Sequence, residues 1–100
     1  MLLKPRAYLI EVKNMDAYQI IHTPIVTEAV FDLIERDNKL VFYVHPKAKK
    51  RQIKQAFNEL FEVTPTHVNT AFAPDGRKKA FIKLPDSVIA LDMATEWGII

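Results

Sequence analysis

The sequence predicts an α+β domain, a small α/β sandwich in which a four-stranded antiparallel sheet carries three helices. Three observations lead there. Ile53, Ala56, Phe57, Leu60 and Phe61 recur at i, i+3, i+4, i+7 and i+8, one face of an amphipathic helix. Lys39-Leu40-Val41-Phe42-Tyr43-Val44 is β-rich, with apolar residues at successive positions, as in a strand covered on both faces. Pro74-Asp75-Gly76-Arg77 has the residues of a tight turn, Pro presetting φ and Gly76 supplying a positive one. The β-rich runs on either side of it therefore pair as an antiparallel hairpin.

Residues 1–14 are read as an N-terminal extension with partial disorder expected, and residues 15–100 as one domain. Ala17 to His22 is a short apolar run taken as the first strand, with Thr23-Pro24 breaking it because Pro lacks the amide a ladder needs. The first helix is expected from Thr27 to Asp37. Thr27 caps it, Glu28 complements the positive end of the helix dipole, Asn38 suits a left-handed stop, and Val30, Phe31 and Ile34 face the core. The 39–44 strand follows and ends at Pro46. The second helix occupies the 48–61 stretch, with Lys47, Arg51, Lys54 and Asn58 forming a stripe on its exposed flank. Thr66 to Ala73 is the third strand. Lys79 to Leu84 is the fourth, alternating Lys79, Phe81 and Lys83 with Ala80, Ile82 and Leu84. Asp86 or Ser87 is expected to cap a last helix whose apolar residues are Val88, Leu91, Met93, Ala94 and Trp97, and Gly98 ends it.

Composition narrows the function. A chain that is 49% apolar and 26% charged is an ordinary soluble domain, large enough for a real core. The absence of cysteine excludes disulfides, thiolate metal sites and a cysteine nucleophile, and an intracellular life fits best. No apolar run approaches the roughly 20 residues of a membrane span, so no membrane insertion is expected. Lys4, Arg6, Glu11 and Lys13 also interrupt any secretory leader.

The net charge of +2 is unremarkable, but its distribution is polarised. Residues 45–83 hold nine cations and three acids, a local +6, and no acid stands between His45 and Asn58. Residues 15–44 hold five acids and two cations, and residues 84–100 hold three acids alone. Such asymmetry fits a protein that lies on a phosphate backbone with one side; a solvated charge run is the plainer alternative.

Chemistry of other kinds leaves little trace. With Gly76 and Gly98 as the only glycines, no phosphate-cradling glycine loop or dinucleotide fingerprint can be built. The single serine, Ser87, reads as a cap. His22, His45 and His67 read as strand-end residues rather than ligands, since no metal-site spacing surrounds them. Glu59 and Glu62 read as a solvated helix edge. No enzyme, cofactor or metal is expected. The positive constellation has two parts: Lys47, Lys49, Lys50, Arg51 and Lys54 around the second helix, and Arg77, Lys78, Lys79 and Lys83 on the hairpin. Phosphates call for long cationic side chains, and folded RNA is recognised mostly through its backbone and 2′-hydroxyls. Asn69 and Thr70 can add polar contacts from the third strand. Stacking of single strands is disfavoured because Phe57, Phe61 and Phe81 fit the core pattern.

At this point the residues resemble a known family. Pro24-Ile25-Val26-Thr27-Glu28, Lys39-Leu40-Val41-Phe42, Ala48 with Lys50 and Ile53-Lys54, and Phe61-Glu62-Val63 carry part of the likeness. Val68-Asn69-Thr70, Lys78-Lys79-Ala80-Phe81-Ile82-Lys83-Leu84 and Gly98-Ile99-Ile100 complete it. In order from Met15 to the end, they are similar to the universal large-subunit ribosomal protein twenty-three family. The resemblance implies a small α/β domain bound to large-subunit rRNA beside the mouth of the peptide exit tunnel. The implied partners are neighbouring large-subunit ribosomal proteins and nascent-chain factors such as signal recognition particle or other exit-site factors. It implies RNA-facing roles for Lys47, Lys49, Lys50, Lys54, Asn69, Thr70, Lys78 and Lys79, and a factor-docking role for Glu28. The short hairpin turn resembles the archaeal-type branch. Lys49 stands where the family often has a capping Thr, Ala29 where a Lys is usual, and Pro85 is unusual after the Leu84 block. Two readings from other classes compete: a protein–protein adaptor on the same sandwich, and a phosphate-handling enzyme of similar topology. The missing glycine loops and nucleophiles disfavour the latter.

Overall fold

The computed structural model describes residues 16–100; the extension read at 1–14 lies outside the described residues. The elements run α1 (Ala17–Ile20), β1 (Ile21–Pro24), α2 (Glu28–Asp37), β2 (Lys39–Val44), α3 (Lys50–Phe61), β3 (His67–Phe72), β4 (Lys78–Lys83) and α4 (Ala90–Glu96). One sheet of order β1-β2-β4-β3 is antiparallel throughout, as expected. The described residues hold four helices rather than three.

The additional helix is a correction to the strand read at 17–22. Ala17, Ile20 and Ile21 are the buried residues there, a spacing of i, i+3, i+4 that belongs to a helical turn. The Asp16 N–H donates to Gln19 Oε1 at 2.9 Å, and the Ile20 N–H returns to the Asp16 carbonyl at 3.1 Å. These local bonds close the turn before a strand can start. The strand then begins later and runs through Pro24 instead of stopping at it. Pro24 is tolerated because β1 is an edge strand, and the pairing register with β2 shifts between Ile21 and Pro24.

Helix α2 forms as its ends dictate. Thr27 Oγ1 accepts from the Val30 N–H at 3.2 Å, and Asn38 takes φ of 55°, the left-handed stop. In β2, Leu40, Phe42 and Val44 face α3, where the Phe42 and Phe57 rings meet edge-on at 6.0 Å. Val41 points to the opposite face and is buried too, so the strand is covered on both faces at its middle. Phe57, Ile53, Leu40, Ile82, Leu84 and Val44 are the largest fully buried side chains other than Pro65. Burying each such aliphatic or aromatic side chain stabilises the fold by about 1.5–3 kcal/mol.

The start of the last helix is also corrected. Neither Asp86 nor Ser87 caps it; residues 85–88 form a turn, closed by the Val88 N–H on the Pro85 carbonyl at 3.0 Å, and the helix begins at Ala90. Its first amide is held from far away, by Asn38 Oδ1 at 2.7 Å, while Asn38 Nδ2 donates to the Val88 carbonyl at 2.7 Å. The Asn38 side chain therefore ties the end of α2 to the entry of α4. Gly98, at φ +72°, ends α4 with the Ile99 N–H on the Ala94 carbonyl and its own N–H on that of Thr95. Trp97 is half-exposed rather than core, its ring edge-on to Phe61 at 5.0 Å.

Candidate nucleic-acid interface

Strand pairing places the basic residues. Lys78 opens β4 opposite Val44, the last residue of β2, and β2 leads directly into His45-Pro46-Lys47 and the start of α3. The two basic clusters of the sequence therefore meet at one end of the sheet. The Lys78 ammonium joins them: Nζ donates to the Ala48 carbonyl at 2.7 Å and lies 3.4 Å from that of Pro46. Its charge also lies 5.7 Å from the centre of the Phe72 ring, its register partner on β3.

Around this tether stand Lys47, Lys49, Lys50 and Arg51, all exposed. Lys54, one turn into α3, is half-buried. Lys47 precedes the helix, so it shares the end of the sheet with Arg51 and Lys54 but not a helical stripe with them. Lys49 has no oxygen with which to cap α3; Gln52 Oε1 reaches back to the Lys49 N–H at 2.8 Å instead. The lysine side chain is thereby left to the surface. Among the described residues, Lys47, Lys49, Lys50, Arg51, Lys54 and Lys79 have no ion pair.

The hairpin cations differ from one another. Alternation along β4 sends Lys78 to the α3 face and Lys79 to the other, where it sits in register between Tyr43 and Ala71. Arg77 folds over that second face, its guanidinium 4.0 Å from the centre of the Tyr43 ring and its Nε 2.8 Å from Asp75 Oδ2. The Arg77 backbone N–H also donates to Asp75 Oδ1 at 3.1 Å. That amide first, and the guanidinium second, hold the Asp75 carboxyl below the usual carboxylate range, and the same carboxylate raises the Arg77 guanidinium. The cations thus wrap the end of the sheet instead of covering one face.

Lys83 does not join them. It ends β4, five residues from Lys78, or roughly 17 Å at strand spacing. Its Nζ donates to the Asp37 carbonyl at 2.7 Å. Asn69 and Thr70 also separate: Thr70 points to the α3 face and Asn69 to the opposite one, beside Phe81 in register. Asn69 lines a polar hollow of about 370 Å³ with Lys83, Lys39, His67 and Asp37. Sequence reading missed Lys39 and His67, because only the pairing register sets them beside Lys83. It also missed Phe72, an exposed aromatic next to the hairpin turn. Glu28 is exposed at the first turn of α2, just after the β1 edge, whereas the hairpin forms the other edge of the sheet.

The family model described as Ribosomal protein L23 matches residues 19–88. The large ribosomal subunit protein uL23 of Methanococcus vannielii is 49% identical over 85 residues, 85% of this chain and 99% of that protein. The uL23 protein of Puccinia graminis is 46% identical over 96 residues, 96% of this chain but 61% of its own length. The uL23A protein of Schizosaccharomyces pombe is 46% identical over 87 residues, 87% of this chain and 62% of its own length. The chain thus spans about three-fifths of these fungal relatives and nearly all of the Methanococcus one.

Proposed function

The chain belongs to the ribosomal protein L23 family, and from that membership we propose that it is a constituent of the large ribosomal subunit, bound to large-subunit rRNA near the polypeptide exit tunnel. The family is a structural, non-enzymatic one. The observation that carries the RNA-binding reading is the meeting of two basic clusters at one end of the sheet, joined through Lys78. In this reading the 15–100 domain is held to rRNA by Lys47, Lys49, Lys50, Arg51, Lys54, Arg77 and Lys79, with Asn69, Thr70 and Lys83 contributing from the sheet. Lys78 acts from within, by fixing the distance between the clusters.

The mechanism is electrostatic and shape-based. Cations that replace counterions along the phosphate backbone gain affinity from the released ions, and cations wrapped around a sheet end fit a folded backbone better than a flat base surface. The exposed Glu28 side is left to protein partners: neighbouring ribosomal proteins, and signal recognition particle or other exit-site factors. The protein's place in the cell is then that of the cytoplasmic large subunit. No described helix is long and apolar enough to cross a membrane.

The test is co-sedimentation of the tagged chain with ribosomal subunits, with binding to isolated large-subunit rRNA followed against salt. Stoichiometric recovery in the large subunit is expected, as is a log–log salt slope of about −4 for some five phosphates. Absence from ribosomes together with salt-insensitive binding to a protein would favour an adaptor instead.

A further inference from the structure

Pairing register builds a second polar site away from the basic end. Because β4 lies between β2 and β3, Lys83 has Lys39 directly opposite on one side and His67 on the other. All three side chains leave the sheet on the face opposite α3, and so does Asn69, two residues along β3. With Asp37 they line the hollow of about 370 Å³. That volume equals roughly a dozen waters, more than a lone ion needs.

The groups inside are short of acceptors. Like charges directly opposite on a sheet repel. Among the described residues the ion pairs are Arg36–Asp32 and Arg77–Asp75, so neither Lys39 nor Lys83 has one. Lys83 Nζ gives one bond to the Asp37 carbonyl at 2.7 Å, which fixes the ammonium beside the hollow and leaves its two other N–H groups free of protein partners. The exposed His67 imidazole and Asn69 amide make no hydrogen bond within the described chain. With the Asp37 carboxylate also lining the hollow, the two ammonium groups leave a net charge of about +1, and donors still outnumber acceptors.

We propose that this hollow binds one sugar-phosphate unit of RNA, with Lys39 and Lys83 sharing the phosphate and Asn69 and His67 holding the ribose and the remaining phosphate oxygens. The Asn69 amide can both donate to and accept from a 2′-hydroxyl. The inference rests on the rRNA-binding reading above and adds a second anchor to it, roughly 17 Å along β4 from Lys78.

The experiment measures the affinity of the full chain for deproteinised large-subunit rRNA as a function of salt. Lys39→Gln with Lys83→Gln should make the log–log slope shallower by about 0.9, one phosphate, and weaken binding roughly ten-fold at 0.1 M salt. Asn69→Ala should weaken binding several-fold with the slope unchanged. A slope change near 1.8 would mean two separate phosphates and overturn the shared site, and an unchanged slope would overturn it outright. Since Lys83→Gln also removes the Asp37 bond, Lys39→Gln alone, which breaks no intramolecular bond among the described residues and relieves the repulsion with Lys83, must weaken binding at a melting temperature no lower than that of the unaltered chain. If these variants have no effect while Lys50→Glu with Lys79→Glu abolishes binding, the hollow is not a site and the rRNA-binding reading stands. If neither set matters, that reading falls as well.

Discussion

Replacing Lys78 with Met separates a structural cation from an RNA-binding one. Met keeps most of the stem against Phe72 but removes the ammonium that donates to the Ala48 carbonyl at 2.7 Å. A hydrogen bond to a charged group is worth about 1.5–3 kcal/mol, and the partner loses more when it is shielded from water. Ala48 has no exposed surface, so its carbonyl is poorly placed to recruit a water in exchange. Lys78 itself is half-buried, which argues for the lower part of the range because the free ammonium would be partly hydrated. The expected loss is about 1–2 kcal/mol, or about 5–15 °C in melting temperature for a domain of this size. In urea the midpoint should fall with the slope of the transition unchanged.

The control is Lys50→Met. Lys50 is exposed and makes no ion pair among the described residues, so its removal should change stability by less than about 0.5 kcal/mol. It should instead make the salt slope of rRNA binding shallower by about 0.9. The two lysines are thus expected to fail in different assays. If Lys78→Met melts with the unaltered chain and loses rRNA affinity as Lys50→Met does, the ammonium is a free surface charge and the tether is not made.

Three further outcomes follow from the same geometry. Lys50→Glu with Lys79→Glu should abolish rRNA binding in a filter or mobility assay while circular dichroism stays native; retained binding moves the interface elsewhere. Asn38→Gly keeps the left-handed stop at φ 55° but deletes the side-chain bonds to Ala90 and Val88, so urea unfolding should report a loss of about 2–3 kcal/mol. A loss below about 0.5 kcal/mol would mean the α2–α4 tie carries no weight. Asp75 has its folded pKa lowered by Arg77, so the turn's ion pair contributes above the unfolded carboxyl value and is lost as pH falls through the lower folded one. The carboxyl carbon of Asp75, followed by NMR, should titrate with a midpoint below the ordinary 3.8; a midpoint at or above that value would remove the Arg77 contact from the solution structure.

Elements whose signals are local were legible in the sequence. Thr27 and Asn38 mark the ends of α2, the apolar spacing from Ile53 to Phe61 gives α3, and Pro74 with Gly76 gives the hairpin. Each depends on residues within a few positions of one another. Elements whose ends are set from a distance were not. Nothing near Ser87 says that α4 begins three residues later, because the oxygen that receives its first amide belongs to Asn38. The 17–22 run misled for a different reason: over six residues a helical turn followed by a strand looks like one short apolar strand. The buried spacing of Ala17, Ile20 and Ile21 distinguishes them only once burial is known.

The candidate interface divides along the same line. Composition can count cations, but it cannot say which of them are already engaged, and engagement is a matter of register. In the hairpin, Lys78 and Lys79 are neighbours of identical chemistry, yet alternation turns one toward the Ala48 carbonyl and the other to the opposite face beside Tyr43. Arg77 is held by Asp75, and Lys83 by a carbonyl at the far end of the strand. Conversely, Lys39 stands outside both basic clusters in the sequence, and only pairing sets it against Lys83. A basic stretch therefore specifies that a nucleic-acid surface can exist, and the strand register decides which of its charges reach the backbone and which hold the surface in shape.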